Sequence, residues 1–263
     1  MGKKGFFLLF FLSIILNGFS QQDSIGIYKE IPKVKGEQIA LDNRGFIYII
    51  SENSLYKYSS EGEFLFSYQN AFLGTISDID LSSPMKIMLF YQESGKIIFL
   101  DDHLSPIIEE LDFASKQYHS VLLAAYSTSN HIWIYNEIER NLIKLDFYLN
   151  EQSKTHHSIP DFNPIQLLVL SEKTIVMNNP ETGILFFDSF GTYIKTIGIR
   201  TSQKIQMDNQ FIYYLKDNNL HRYDYKRMDE TIISLGIENL KQVIVYKDRF
   251  ILLTREGKVL IAQ

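Results

Sequence analysis

The sequence predicts an all-β fold, a six-bladed β-propeller with four-stranded antiparallel blades, closed by an N-terminal strand in the last blade. Three observations predict it. Short strand-like runs recur with a period near 40 residues, each unit contains a strand that stops at Asp or Ser, and one spare N-terminal strand matches a last unit one strand short. Abundant aromatic residues, 19 Phe and 16 Tyr, agree with a strand-rich chain.

The first twenty residues stand outside this pattern. Lys3 and Lys4 precede an apolar run from Phe6 to Leu16, broken by Ser13, and Gly18 and Ser20 place small residues before Gln21. This is the layout of a cleavable secretory signal over 1–20, with a single mature domain over 21–263. Eleven apolar residues rise only about 16 Å as a helix, half of a ~30 Å hydrocarbon core, so an uncleaved anchor is the weaker reading. The expected location is periplasmic or secreted, with no membrane span after cleavage.

The strand over 25–31 (IGIYKEI) comes next and has no blade of its own. The first repeat follows over 36–74. Its strands at 38–41 and 46–50 flank Asp42-Asn43-Arg44-Gly45, and a third (LYKY, 55–58) stops at Ser59 before a fourth at 63–68. The third-strand signature returns at 98–104 (IFLDDHL), 143–149 (IKLDFYL), 185–191 (LFFDSFG) and 221–227 (HRYDYKR). Aligned on Ser59, Asp101, Asp146, Asp188 and Asp224, the spacings are 42, 45, 42 and 36 residues. Asp and Ser suit that stop because their side chains accept from backbone N–H groups two residues on. Blades two to five run over 75–118, 119–162, 163–199 and 200–237. The sixth begins at Glu238 and supplies three strands, at 241–246, 249–254 and 258–261. The spare strand at 25–31 should complete it and close the ring. Only 112–119 reads as a helical turn rather than strand or loop.

The Asp-x-x-Gly-aromatic turns, Asp42-Asn43-Arg44-Gly45-Phe46 and Asp188-Ser189-Phe190-Gly191-Thr192-Tyr193, resemble those of NHL-type and related six-bladed β-propellers. The resemblance covers nearly all of 25–263 and implies the fold. Such folds host hydrolases, lyases, receptors and scaffolds, so it implies no single activity.

Composition narrows the function classes. Removing residues 1–20 takes away two lysines and moves the formal net charge from −5 to −7. A mildly acidic chain without basic clusters is a poor nucleic-acid binder. With no cysteine, disulfides, thiolate metal sites and thiol catalysis are excluded.

No nucleophile elbow, zinc-protease helix, calcium loop or phosphate-cradling loop occurs. His156-His157 is the one adjacent His pair, and successive strand residues point to opposite faces, so the two are expected at a solvated edge. Asp101-Asp102-His103 has metal or acid–base residue types, but Asp101 sits at the repeated turn position. Trp133 lies in an alternating strand and is expected to pack between blades. Six-bladed lactonase-like hydrolases hold a divalent metal in the channel, and Glu37, Asp78 and Glu238 are candidates by position. No Asn-bearing consensus accompanies them, so no catalytic, cofactor or metal site is assigned and no cofactor is expected. The loops look too short to build a pocket.

These readings favour a non-catalytic protein-binding or scaffold module, an accessory subunit of a bacterial cell-envelope complex for outer-membrane assembly, secretion or uptake. A channel lactonase and a carbohydrate- or peptide-binding propeller, with Trp133 and Tyr residues stacking on the ligand, are the alternatives.

Overall fold

A computed structural model describes residues 26–263 apart from 33, 84, 128, 156–162 and 209. Its strands form six four-stranded antiparallel sheets in a ring. Blade 1 holds β2 (Gln38–Leu41), β3 (Ile47–Ser51), β4 (Ser54–Tyr58) and β5 (Phe64–Gln69). Blade 2 holds β6 (Asp78–Asp80), β7 (Ile87–Tyr91), β8 (Lys96–Leu100) and the two-residue β9 (Leu111–Asp112). Blade 3 holds β10 (Val121–Ser127), β11 (His131–Asn136), β12 (Asn141–Leu145) and β13 (Glu151–Lys154). Blade 4 holds β14 (Gln166–Ser171), β15 (Thr174–Asn179), β16 (Gly183–Phe187) and β17 (Tyr193–Ile197). Blade 5 holds β18 (Gln206–Met207), β19 (Phe211–Lys216), β20 (Asn219–Asp224) and β21 (Asp229–Ile233).

Blade 6 closes the ring as the strand arithmetic requires. Its order is β22 (Leu240–Tyr246), β23 (Arg249–Thr254), β24 (Val259–Ala262) and then β1 (Ile27–Ile31) at the outer edge. β1 runs antiparallel to β24, with Ile31 opposite Val259 and Ile27 opposite Ala262. The expected helical turn is a 3-10 turn over Phe113–Lys116, with Asp112 accepting from the Ala114 N–H.

The core lies between blades rather than inside any one of them. Among the described residues, six apolar clusters each join two neighbouring blades. Strand periodicity explains this. In β11, Ile132 and Ile134 face blade 2, whereas Trp133 and Tyr135 face blade 4. A middle strand is therefore buried on both faces and reads as a continuous apolar run such as IMLFY in β7.

The repeated third-strand stop is one hydrogen-bonded turn. Asp101, Asp146 and Asp188 each accept two backbone N–H groups at Oδ1, from positions two and four residues on. Ser59 does the same through Oγ, and Asp42 through Oδ1 in the first turn of blade 1. The residue three on is left-handed: Gly45, Gly62 and Gly191, but also Leu104 and Leu149. Both leucines are buried and belong to inter-blade clusters, so packing holds a conformation that a branched side chain resists. Blade 5 departs from the pattern. There Asp224 accepts from Lys226 and Arg227, and the left-handed residue is Met228.

Candidate functional site

The inner strands β2, β6, β10, β14, β18 and β22 are sheet edges, so their outward N–H and C=O groups need partners. Side chains from adjacent blades supply them at four of the six junctions, and side-chain pairs tie the other two. Gln242 of blade 6 accepts from the Ile39 N–H of blade 1 at 2.9 Å and donates to the Ile39 carbonyl at 2.7 Å. Gln206 grips Val245 of blade 6 in the same way, at 2.7 and 2.8 Å. Gln166 grips Ile205 of blade 5 at 2.8 and 3.0 Å. Between blades 2 and 3, Asp80 Oδ2 accepts from the Tyr126 N–H at 2.8 Å and Ser82 Oγ donates to the Tyr126 carbonyl at 3.2 Å. Ser127 Oγ donates to Glu172 Oε1 at 2.8 Å between blades 3 and 4, and Gln38 Nε2 to Asp78 Oδ1 at 3.2 Å between blades 1 and 2. Every neighbouring pair of blades is thus tied on the channel side.

Inside this ring lies a cavity of about 550 Å³. Its walls include the half-buried Ala40, Leu81, Leu168, Leu170 and Met207. The expectation that short loops leave no room for a pocket is therefore corrected: the channel provides the space without long loops. At the end where the inner strands begin, Lys204 of blade 5 crosses to Asp78 of blade 2, the opposite blade, with Nζ 2.7 Å from Oδ1. At the other end the lining includes Asn43, Ser82, Ser171 and Glu172.

That second mouth holds a cluster that sequence reading missed. Ser129 Oγ lies 2.9 Å from His131 Nδ1 and donates toward Glu172, which also accepts from the Ser129 N–H at 3.1 Å. Loss of hydration and nearby Lys144 lower the His131 pKa. The serine stands between the imidazole and the carboxylate. The carboxylate therefore does not orient the imidazole, as a nucleophile–base–acid relay requires. Glu172 lies 43 residues beyond Ser129, in another blade, and no local motif joins them.

The face carrying the first-to-second and third-to-fourth strand turns differs by sector. Over blades 6 and 1 it is tied down by polar contacts. Arg249 Nη1 donates to Glu61 Oε1 at 2.7 Å, and Lys29 Nζ to the Glu61 carbonyl at 2.6 Å. Over blades 3, 4 and 5 the third-to-fourth strand turns instead display Tyr148, Phe190 and Met228, each at least 71% exposed.

The residues singled out from sequence fall as follows. Asp101 is a turn acceptor. Asp102 meets His103 Nδ1 at 2.8 Å and Arg44 Nη1 at 3.3 Å, and its carbonyl takes the buried Lys57 ammonium. Partial loss of hydration pushes the Asp102 carboxyl up, but Arg44, His103 and Lys57 outweigh it and hold it below the usual range. Burial lowers the Lys57 pKa. Trp133 is buried against blade 4, which rules out its stacking on a carbohydrate or peptide ligand. Of the three channel candidates only Asp78 lines the cavity. Glu37 accepts from the Glu52 N–H at 3.1 Å, and Glu238 is exposed in the connection before β22. Among the described residues no three His, Cys, Asp or Glu side chains gather around one point. His156 and His157, and the segment 1–20, lie outside the described residues. No helix among the described residues is long and apolar enough to cross a membrane.

Ring, staples and inter-blade cores define a six-bladed β-propeller. No family model and no curated protein sequence matches the chain. Solved structures do. BamB from Moraxella catarrhalis is 12% identical with a TM-score of 0.58, over 91% of this chain and 99% of that one. A streptogramin B lyase is 14% identical with a TM-score of 0.58, over 86% and 78%. The WD40 β-propeller domain of Doa1 is 12% identical with a TM-score of 0.61, over 86% and 77%. At such identities the likeness is one of fold, and the sequence-level resemblance to propellers holds at that level.

Proposed function

We propose that the chain is an exported, non-catalytic protein-binding module, an accessory subunit of a bacterial cell-envelope complex. The observation that carries this is the row of exposed Tyr148, Phe190 and Met228 on one face of three successive blades. Large aromatic and Met side chains of that kind anchor protein interfaces. The inter-blade ties keep the disc rigid, so the ordering cost of docking is low. The signal-like residues 1–20 support export. Propellers that include BamB and a WD40 domain share the fold, which is compatible with a role in a complex. The lactonase alternative loses support because Asp78 is engaged by Lys204 and Gln38, and Glu37 and Glu238 lie away from the cavity.

The test is purification of the tagged protein from native membranes after mild crosslinking. The expected result is co-purification of a discrete envelope protein, lost when Tyr148, Phe190 and Met228 are all replaced by Ser while circular dichroism stays unchanged. Recovery of the wild-type protein as a lone soluble monomer would overturn the proposal.

A further inference from the structure

The Asp78–Lys204 pair differs from the other channel contacts. The Gln staples join adjacent blades through backbone groups, whereas this pair joins two charged side chains across the channel. Asp78 Oδ1 receives Lys204 Nζ at 2.7 Å, the Ile79 N–H at 2.8 Å and Gln38 Nε2 at 3.2 Å. Oδ2 receives no hydrogen bond from the described residues, and the Lys204 ammonium spends one of its three N–H donors on Asp78. Both side chains line the cavity and are about one-fifth exposed, with 18% for Asp78 and 23% for Lys204. A free acceptor and free donors of opposite charge therefore stand side by side at one end of a space with apolar side chains in its walls.

We infer that this channel end binds a free α-amino acid with an apolar side chain. A ligand carrying only a carboxylate would gain Lys204 but face Asp78, and a ligand carrying only an ammonium would meet the converse. A molecule with both charges on one carbon presents its carboxylate to Lys204 and its ammonium to Asp78 Oδ2. It can do so without breaking the existing pair, because each group has unused capacity. The apolar side chain then extends along Leu81, Leu168, Leu170 and Met207 toward the other mouth. Size permits it: a cavity of about 150 Å³ already takes benzene, and this one is about 550 Å³. Pockets with apolar walls and a few convergent polar groups are the usual form of small-ligand sites. The inference concerns the channel and stands apart from the protein-binding face.

The test is isothermal titration of the mature protein at neutral pH with L-leucine and L-phenylalanine, against 4-methylpentanoate and isoamylamine, each of which lacks one charge. The expected result is saturable binding of the amino acids, with each single-charge analogue weaker by about tenfold or more. Lys204→Met and Asp78→Asn should each lose a similar factor. If either variant fails to fold, the analogue series on the wild-type protein still decides. Equal binding of the single-charge analogues, or no heat from either amino acid up to about 10 mM ligand, would overturn the inference.

Discussion

Substituting Gln242 with Leu tests whether the channel staples hold the ring shut. Gln242 joins the last blade to the first, through bonds of 2.9 and 2.7 Å to the two backbone groups of Ile39. Leucine keeps the bulk and removes both bonds. Each net hydrogen bond contributes about 0.5–1.5 kcal/mol, and a buried group left without a partner costs about 1–3 kcal/mol. The site borders the channel, so water can take over part of the role, and we expect a loss of about 1–3 kcal/mol. For a domain of this size that lowers Tm by about 2–12 °C. The control is Gln69→Leu, which removes a 3.2 Å bond to Asn53 in an exposed setting and should change stability by less than about 0.5 kcal/mol. Calorimetry gives the global loss, and amide exchange gives the local one: the Ile39 N–H should lose protection in the Gln242 variant alone. A Tm within about 1 °C of the control, with Ile39 protection unchanged, would refute the idea that the staples contribute to closure.

Three further outcomes follow from the geometry. Gly45 has φ +92°, and a Cβ there would lie 2.7 Å from a Tyr246 ring carbon, so Gly45→Ala should cost about 2 kcal/mol or more in urea unfolding. Adding Tyr246→Ala should recover the clash component and leave the backbone one. Leu149→Gly relieves about 1–2 kcal/mol of left-handed strain but forfeits the burial of a core leucine at about 2–5 kcal/mol, so the variant should be less stable. A more stable Leu149→Gly protein would show that the turn, not the packing, governs that site. Burial pushes the phenol of Tyr91 well up, as it does for Tyr48 and Tyr214. The unfolded chain releases these protons near pH 10 and the folded chain holds them. Their contribution is complete below pH 10 and is lost as pH rises above it. Tyr91→Phe should flatten the alkaline decline measured by unfolding between about pH 10 and 12, by up to about 1.4 kcal/mol per pH unit.

The ring was legible because its signals are local or arithmetical. Asp101, Asp146 and Asp188 mark the same turn because one carboxylate oxygen accepting two nearby N–H groups is a short-range device. The count of strands needed only chain order to place residues 27–31 beside 259–262. Boundaries slipped where pairing rather than propensity decides. The inner strand of blade 5 shrinks from the expected 204–207 to Gln206–Met207, the two residues that pair with Tyr213 and Ile212 of β19. Of the channel chemistry only the place of Asp78 was legible, and its partner was not. Asp78 and Lys204 lie 126 residues apart, and Gln242 and Ile39 lie 203 apart, so no window of sequence contains either pair. Glu37 shows the converse error: an acidic residue beside an inner strand looks channel-facing, but its carboxylate is captured by the neighbouring strand turn.

One exposed apolar side chain on a protein surface calls for no explanation. The case for a partner rests on position within the repeat. Two residues after each Asp or Ser stop, the turn imposes no demand on the side chain, because the fixed requirements are the acceptor and the left-handed residue. Blades 1, 2 and 5 place Glu61, His103 and Lys226 there, whereas blades 3 and 4 place Tyr148 and Phe190. In blade 5 the apolar residue moves to Met228, within the same turn. Neither Tyr148 nor Phe190 is needed to hold its turn, Met228 fills the left-handed position of its own through its backbone alone, and at 71–80% exposure none of the three side chains contributes much to the core. Folding therefore leaves these side chains unexplained, and they cluster on three adjacent blades of one face. The polar sector over blades 6 and 1 shows that the same turns tolerate charged residues paired in place. The asymmetry is thus a property of this sequence rather than of the propeller, and it is the observation on which the proposed docking surface rests.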